Sequence, residues 1–370
     1  MRHLSPSLFS MLLLLLLCFA CETDDTQTSK NDNPILSALR LEIASNLANN
    51  LIQPSFQKLA VSTEDLEIKV AVFAEEQSEE ALTALRASLA ASWESWQYAS
   101  PYQYGPAESN TLRKIVNTYP TNVEKIEGNI REKIYALNSF SNFEAGGFPA
   151  IDYLINAENA EATVAKFASD ENRFIYLKQL ASTIHSTVST VQAQFIDGAF
   201  IQGFISEDAS GMDVGSALGM QVNAIDFHFQ RAVRDGKVAI PAGIRSSGVT
   251  RPKATEANYA GYSRQLLLES LKSYINLFKG IGINKQVGPS LFAYLEEINQ
   301  TTIAAHIEQK LNEVVVLVQN LNDDLSVQIE IDNQKMVDVF LAMQEVVTLI
   351  KSDMVSVMGV TITNQDNDGD

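Results

Sequence analysis

The sequence predicts an all-α protein built as two packed helical bundles. Apolar residues recur at spacings of three and four over long stretches, the mark of helices with one buried face. Proline stops at Pro149 and resumes only at Pro241, and none follows Pro289, so two long stretches lack the main helix breaker. Strand-like alternation is scarce, with Val357 to Thr363 the best short candidate. The 370 residues, 46% hydrophobic and 19% charged, can bury a large core and suit two domains.

The first segment, residues 1–20, reads as a lipoprotein signal peptide. Arg2 and His3 form a polar start, and the apolar run from Met11 to Phe19 is too short for a stable membrane span. Ala20 supplies the small residue before Cys21, the expected lipidation site, although Cys18 stands where a leucine is usual. Residues 21–34 are polar and acidic up to Pro34 and read as a flexible tether. Two or more acyl chains turn marginal membrane binding into stable anchoring, so the membrane becomes a partner through Cys21. With Cys18 removed and Cys21 lipidated, no cysteine remains for a disulfide, a thiolate metal site or a nucleophile.

An N-terminal bundle over 35–208 and a C-terminal bundle over 209–363 follow, with a boundary near Gly203–Gly215. Expected helices run about Ile35–Leu59, Asp65–Ala99, Ser109–Thr118, Asn122–Leu137, Pro149–Ile155 and Glu171–Ile205. In the second half they run about Met212–Arg234, Thr255–Lys279, Pro289–Asn322 and Asp332–Val357. Thr63-Glu64-Asp65 offers an N-cap and acidic first turn for the second helix, whose buried stripe is Leu85, Leu89, Trp93 and Trp96. Met336, Phe340, Met343, Val347, Ile350 and Met354 alternate steps of four and three, a seam typical of antiparallel bundles. Residues 364–370 form an acidic tail that reads as solvated, because a calcium loop would need a glutamate beyond Asp370.

Lys+Arg 27 against Asp+Glu 45 gives a net charge of −18, which argues against nucleic-acid binding. No Gly-x-Ser-x-Gly elbow and no glycine-rich phosphate loop occurs, and Ser246-Ser247-Gly248 has no nearby histidine to act as base.

The most informative stretch is Gly146-Gly147-Phe148-Pro149-Ala150-Ile151-Asp152. Two glycines permit a sharp turn, Pro149 suits a helix start, and Asp152 would sit on the first turn, where the macrodipole favours a carboxylate. This stretch resembles the Gly-x-His-x-x-Glu signature of the imelysin family, the insulin-cleaving membrane proteases. Gly147 matches, Pro149 stands in place of the histidine and Asp152 in place of the glutamate. Trp96-Gln97-Tyr98-Ala99 with Tyr102 and Gly105 is similar to the family's first helix–loop segment. Ile240-Pro241-Ala242-Gly243-Ile244-Arg245-Ser246 and Glu256-Ala257-Asn258-Tyr259-Ala260-Gly261-Tyr262-Ser263 are similar to the signature of its second half. The resemblance covers most of the mature chain and implies two packed α-domains with the polar motifs near their interface.

A zinc peptidase needs about three protein ligands and a general base. The histidines beyond the signal segment, His185, His228 and His306, are far apart, and no His-Glu-x-x-His occurs. His185 and His228 read as structural, the latter hydrogen-bonded or stacked between Phe227 and Phe229. The expected ligand-binding residues are Trp96, Pro149, Asp152, Arg245, Ser246, Glu256, Tyr259 and Ser263. Asp152 and Glu256 are candidate ligands for a hard cation such as iron or calcium, which prefers oxygen donors. The competing reading makes Asp152 a helix cap and pairs Arg245 with Glu256 as a clamp. What the resemblance implies is a lipoprotein of the outer membrane, linked to iron uptake, that binds a metal or small molecule. A peptidase is the alternative from the family name, and a scaffold without a small-molecule site is a third.

Overall fold

The computed structural model describes residues 33–363. The signal segment, Cys21, most of the tether and the acidic tail lie outside the described residues. Among those described there is no strand, only one bridge between Ile281 and Val287, so the strand expected at Val357–Thr363 is absent. Val355–Met358 is instead the end of a helix. No helix among the described residues is long and apolar enough to cross a membrane.

Eight of the described helices carry the part of the architecture that positions the site: α1 (Gln53–Glu76), α2 (Glu79–Ala99), α3 (Gly147–Asn156), α4 (Glu171–Ile196), α5 (Ala217–His228), α6 (Ser263–Lys279), α7 (Thr301–Gln319) and α8 (Gln334–Thr348). Helix α1 packs between α2 and α4, and α3 lies against α2 and α4. In the second half α7 packs against α6 and α8, while α6 also packs against α2 and so joins the halves. Buried residues from both halves make one continuous cluster. The stripes read from the sequence are its substance: Leu85, Leu89, Trp93 and Trp96 are buried, as are Met336, Met343, Val347, Ile350 and Met354. Each large apolar side chain so buried contributes about 1.5–3 kcal/mol.

The first long helix breaks later than its sequence suggests. Thr63 is buried inside α1, its hydroxyl donating back to the Ala60 carbonyl, so it caps nothing. The break falls where Gln77 adopts a left-handed conformation (φ 50°) and the Ser78 hydroxyl accepts from the Ala81 N–H. A serine followed by Glu79 and Glu80 is a better cap and acidic first turn than Thr63 supplies.

Among the described residues, three π-helical segments interrupt the α-helices, at Leu47–Ile52, Phe229–Ala239 and Leu349–Met354. The middle one continues α5 through part of what reads as loop in the sequence. Its i→i+5 pattern rotates side chains away from the 3.6 period, and such segments cluster at functional sites. Here it turns Arg234, Asp235 and Lys237 into the interior.

Candidate functional site

Helix α3 begins at Gly147, two residues before Pro149, so its first turn carries no acid and Asp152 lies beyond it. Asp152 therefore lies past the first turn where it was expected, and it does not cap the helix as the competing reading has it. Its 1%-exposed carboxylate accepts from the Tyr259 backbone N–H at 3.0 Å and from Asn156 Nδ2 at 3.0 Å. The bond to Tyr259 spans 107 residues of sequence and ties the motif of the first half to that of the second. It uses the Tyr259 backbone; the Tyr259 ring stacks edge-on against Tyr153, with centroids 5.3 Å apart. A cavity of only ≈ 20 Å³ touches Pro149 and Asp152, room for about one water.

Burial pushes the Asp152 carboxyl up to about 7, and the hydrogen bonds from Tyr259, Asn156 and Ala260 only partly oppose it. Because the folded pKa lies above the unfolded value near 3.8, the folded state binds the extra proton. The stability this gives is full below about pH 4 and is lost as pH rises to about 7. At about 1.4 kcal/mol per pH unit the drop is on the order of 4 kcal/mol. Asp152→Asn should flatten that part of a denaturation-midpoint-versus-pH curve; a variant curve parallel to wild type between pH 4 and 7 would refute the assignment.

Glu256, also 1% exposed, sits in a different cage. Its Oε1 accepts from Asn117 Nδ2 at 2.7 Å, Trp93 Nε1 at 3.1 Å and Gln97 Nε2 at 3.3 Å, while Lys237 forms an ion pair with Oε2. Trp93 Nε1 is shared with Asn117 Oδ1, and Gln97 Oε1 accepts from the Ser270 hydroxyl. Helix α2, the π-helical segment and Asn117 at the end of the short helix Leu112–Val116 meet at this carboxylate, and α6 is linked to it through Ser270 and Gln97. Burial lowers the Lys237 pKa, and Glu256 holds it back. Between the two acids lies Tyr262. Its ring meets Trp93 edge-on at 6.1 Å, its hydroxyl is buried without a hydrogen-bond partner, and its pKa is pushed well up by burial, then by Asp152 and Glu256.

Arg245 pairs with Asp235 rather than serving as the cation of Glu256; that role belongs to Lys237. Asp235 also accepts from Arg234 Nε at 2.9 Å, and both guanidiniums lie 5.6 Å over the Phe340 ring. Arg234 continues to Gln344 at 2.6 Å, so this cluster clamps the π-helical segment to α8. Ser246 donates to the Val249 carbonyl within its own turn, and Ser263 accepts from the Leu325 N–H. Trp96 is buried, but Trp93, one turn earlier, carries the polar contact. His228 is bonded through Nδ1 to the Tyr274 hydroxyl and stacks on that ring. Burial, then Arg113 and Lys237, hold its pKa well below the usual range, so it is neutral.

The donor set does not suit a metal. Among the described residues no three His, Cys, Asp or Glu side chains are grouped to hold an ion. The two carboxylates read as candidate ligands are engaged elsewhere: Glu256 is neutralised by an ammonium and three N–H donors, and Asp152 is committed to Tyr259 and Asn156. Admitting iron or calcium would mean breaking the Lys237 pair and leaving a buried ammonium beside the cation. Sequence reasoning missed Lys237, Trp93, Asn117, Gln97 and Tyr262. The visible signal was Lys237 at the head of the apolar run Val238-Ala239-Ile240, and the spacing of Trp93 one turn from Trp96.

The all-α fold of this chain is one already known in solved structures. The chain belongs to the imelysin family, whose family model matches residues 52–352. An imelysin-like protein from Psychrobacter arcticum superposes with a TM-score of 0.71 at 18% identity, covering 89% of this chain and 98% of that one. A candidate iron-regulated protein A precursor from Parabacteroides distasonis gives 0.73 at 13% identity, covering 87% and 95%. At these identities the likeness shows the fold alone. No curated protein matches the sequence.

Proposed function

We propose that this chain is a non-catalytic binding member of the imelysin family, anchored by lipid at Cys21 in the outer membrane and serving iron uptake. The carrying observation is the state of the motif acids. With Pro149 in the histidine position, Asp152 holds the second-half motif through Tyr259, and Glu256 is closed inside an ion pair and three hydrogen bonds. A peptidase would need a metal-bound water and a free general base, and neither acid is free to supply them. The motif region acts in this reading as an internal latch that keeps the two halves of the chain in register. The link to iron rests on the name of the Parabacteroides distasonis neighbour and on the family resemblance.

Elemental analysis of the purified protein, with an insulin-chain cleavage assay, tests this reading. Expected are no insulin-chain cleavage that responds to chelator and no bound metal whose retention depends on Asp152 or Glu256. One tightly held metal per chain that is lost on Asp152→Ala overturns it. So does proteolysis abolished by chelation and restored by zinc.

A further inference from the structure

A cavity of ≈ 550 Å³ lies away from the motif acids and has no role in the reading above. It opens between the Gln103–Lys114 region and α5, and its volume is in the range of small-molecule pockets. Most of its wall is apolar, made by Tyr104, Leu112, Val214, Met220 and Phe227. Val214 and Phe227 are 42% and 44% exposed, so the apolar surface is open at the mouth rather than packed.

One part of the wall has different chemistry. The Arg113 guanidinium donates to the Ser100 carbonyl at 3.3 Å and has no carboxylate partner among the described residues. Arg173 and Arg234, by contrast, each pair with an acid, Glu127 and Asp235. Burial lowers the Arg113 pKa to about 10, and the neighbours that offset this are tyrosines, Tyr274 and Tyr119. Gln103, in the same wall, has a buried Nε2 with no hydrogen-bond partner. A desolvated cation and an unmet amide donor each cost free energy until an acceptor arrives, about 1–3 kcal/mol for the amide alone. A planar guanidinium matches the paired oxygens of a carboxylate, sulfonate or phosphate. At the rim Lys114 and Glu108 offset each other, leaving Arg113 as the net charge of the pocket. The protein as a whole carries −18, so a positive pocket is local chemistry and not a general field.

We propose that this cavity binds a small amphipathic organic anion, its acidic group on Arg113 and Gln103 and its apolar body against Tyr104, Met220 and Phe227. The site is distinct from the motif acids, although the Arg113 charge is felt at Lys237, and its failure would leave the reading of Asp152 and Glu256 untouched. Calorimetric titration with 1-naphthaleneacetate and with its uncharged amide, 1-naphthaleneacetamide, tests it, since the two share one apolar body. The carboxylate is expected to bind one per chain and at least 10-fold more tightly than the amide. Arg113→Met should remove that preference. Phe227→Glu, at the exposed mouth where folding is little affected, should weaken the carboxylate at least 10-fold while changing the amide less. No binding of the carboxylate, equal binding of both probes, or a preference that survives both substitutions would overturn the proposal.

Discussion

Glu256→Gln should cost roughly 3–5 kcal/mol of stability, the range measured when one partner of a buried ion pair is removed. The glutamine is nearly isosteric and its carbonyl can still accept from Asn117 or Trp93. What it cannot do is neutralise Lys237, 5% exposed and already held below its ordinary pKa by burial. In the variant the folded state sheds the Lys237 proton more readily than the unfolded state does. The unfolded chain then binds more protons, so the variant's stability should rise with pH through the range where wild-type Lys237 stays charged. A second substitution, Lys237→Met, replaces the orphan ammonium with an apolar chain of similar length. Glu256→Gln/Lys237→Met should recover most of the loss, a coupling of more than about 1 kcal/mol in a double-mutant cycle. Denaturant midpoints of the four proteins measure it, and strictly additive losses would show that the pair is not the unit described.

The second large effect falls on Gly147. Its φ is +72°, in the region that L side chains rarely adopt, and an added Cβ would lie 2.4 Å from the Val116 carbonyl oxygen and 2.9 Å from that of Ile115. Both contacts are backbone, so no side-chain rotation can relieve them. Gly147→Ala must push away the short helix Leu112–Val116 and, with it, Asn117, the nearest donor to Glu256 Oε1. The left-handed conformation alone costs about 1–2 kcal/mol, and the displacement adds to it, for an expected total above roughly 3 kcal/mol. Gly248 is the internal control: its φ is +86° but nothing lies within 4 Å of an added Cβ. Gly248→Ala should therefore lose about 1–2 kcal/mol only. Equal losses at the two glycines would mean that close backbone approach contributes nothing at Gly147.

Gly147 also shows how much of the site was legible in the sequence. The motif marks the glycine and places a turn there, but only the fold reveals that Val116 is what presses against it. Asp152 and Glu256 stand out in the sequence as acids within polar motifs. Their partners do not, because Lys237 sits in a π-helical segment where the 3.6 period fails, and Trp93 looks like any other member of a buried stripe.

What the sequence by itself determined was the helical class, the buried faces of α2 and α8, and the two motifs that had to be brought together. Those follow from local rules: apolar periodicity, proline placement and the turn chemistry of glycine act over a few residues and need no partner. Which charge meets which was decided by tertiary structure alone. The expected partner Arg245 is drawn to Asp235, ten residues away in sequence, and lies over the Phe340 ring, while Lys237 is delivered to Glu256. A buried charge takes the counter-charge that the backbone places within reach, and that reach is set by how helices pack, not by what lies near it in the chain.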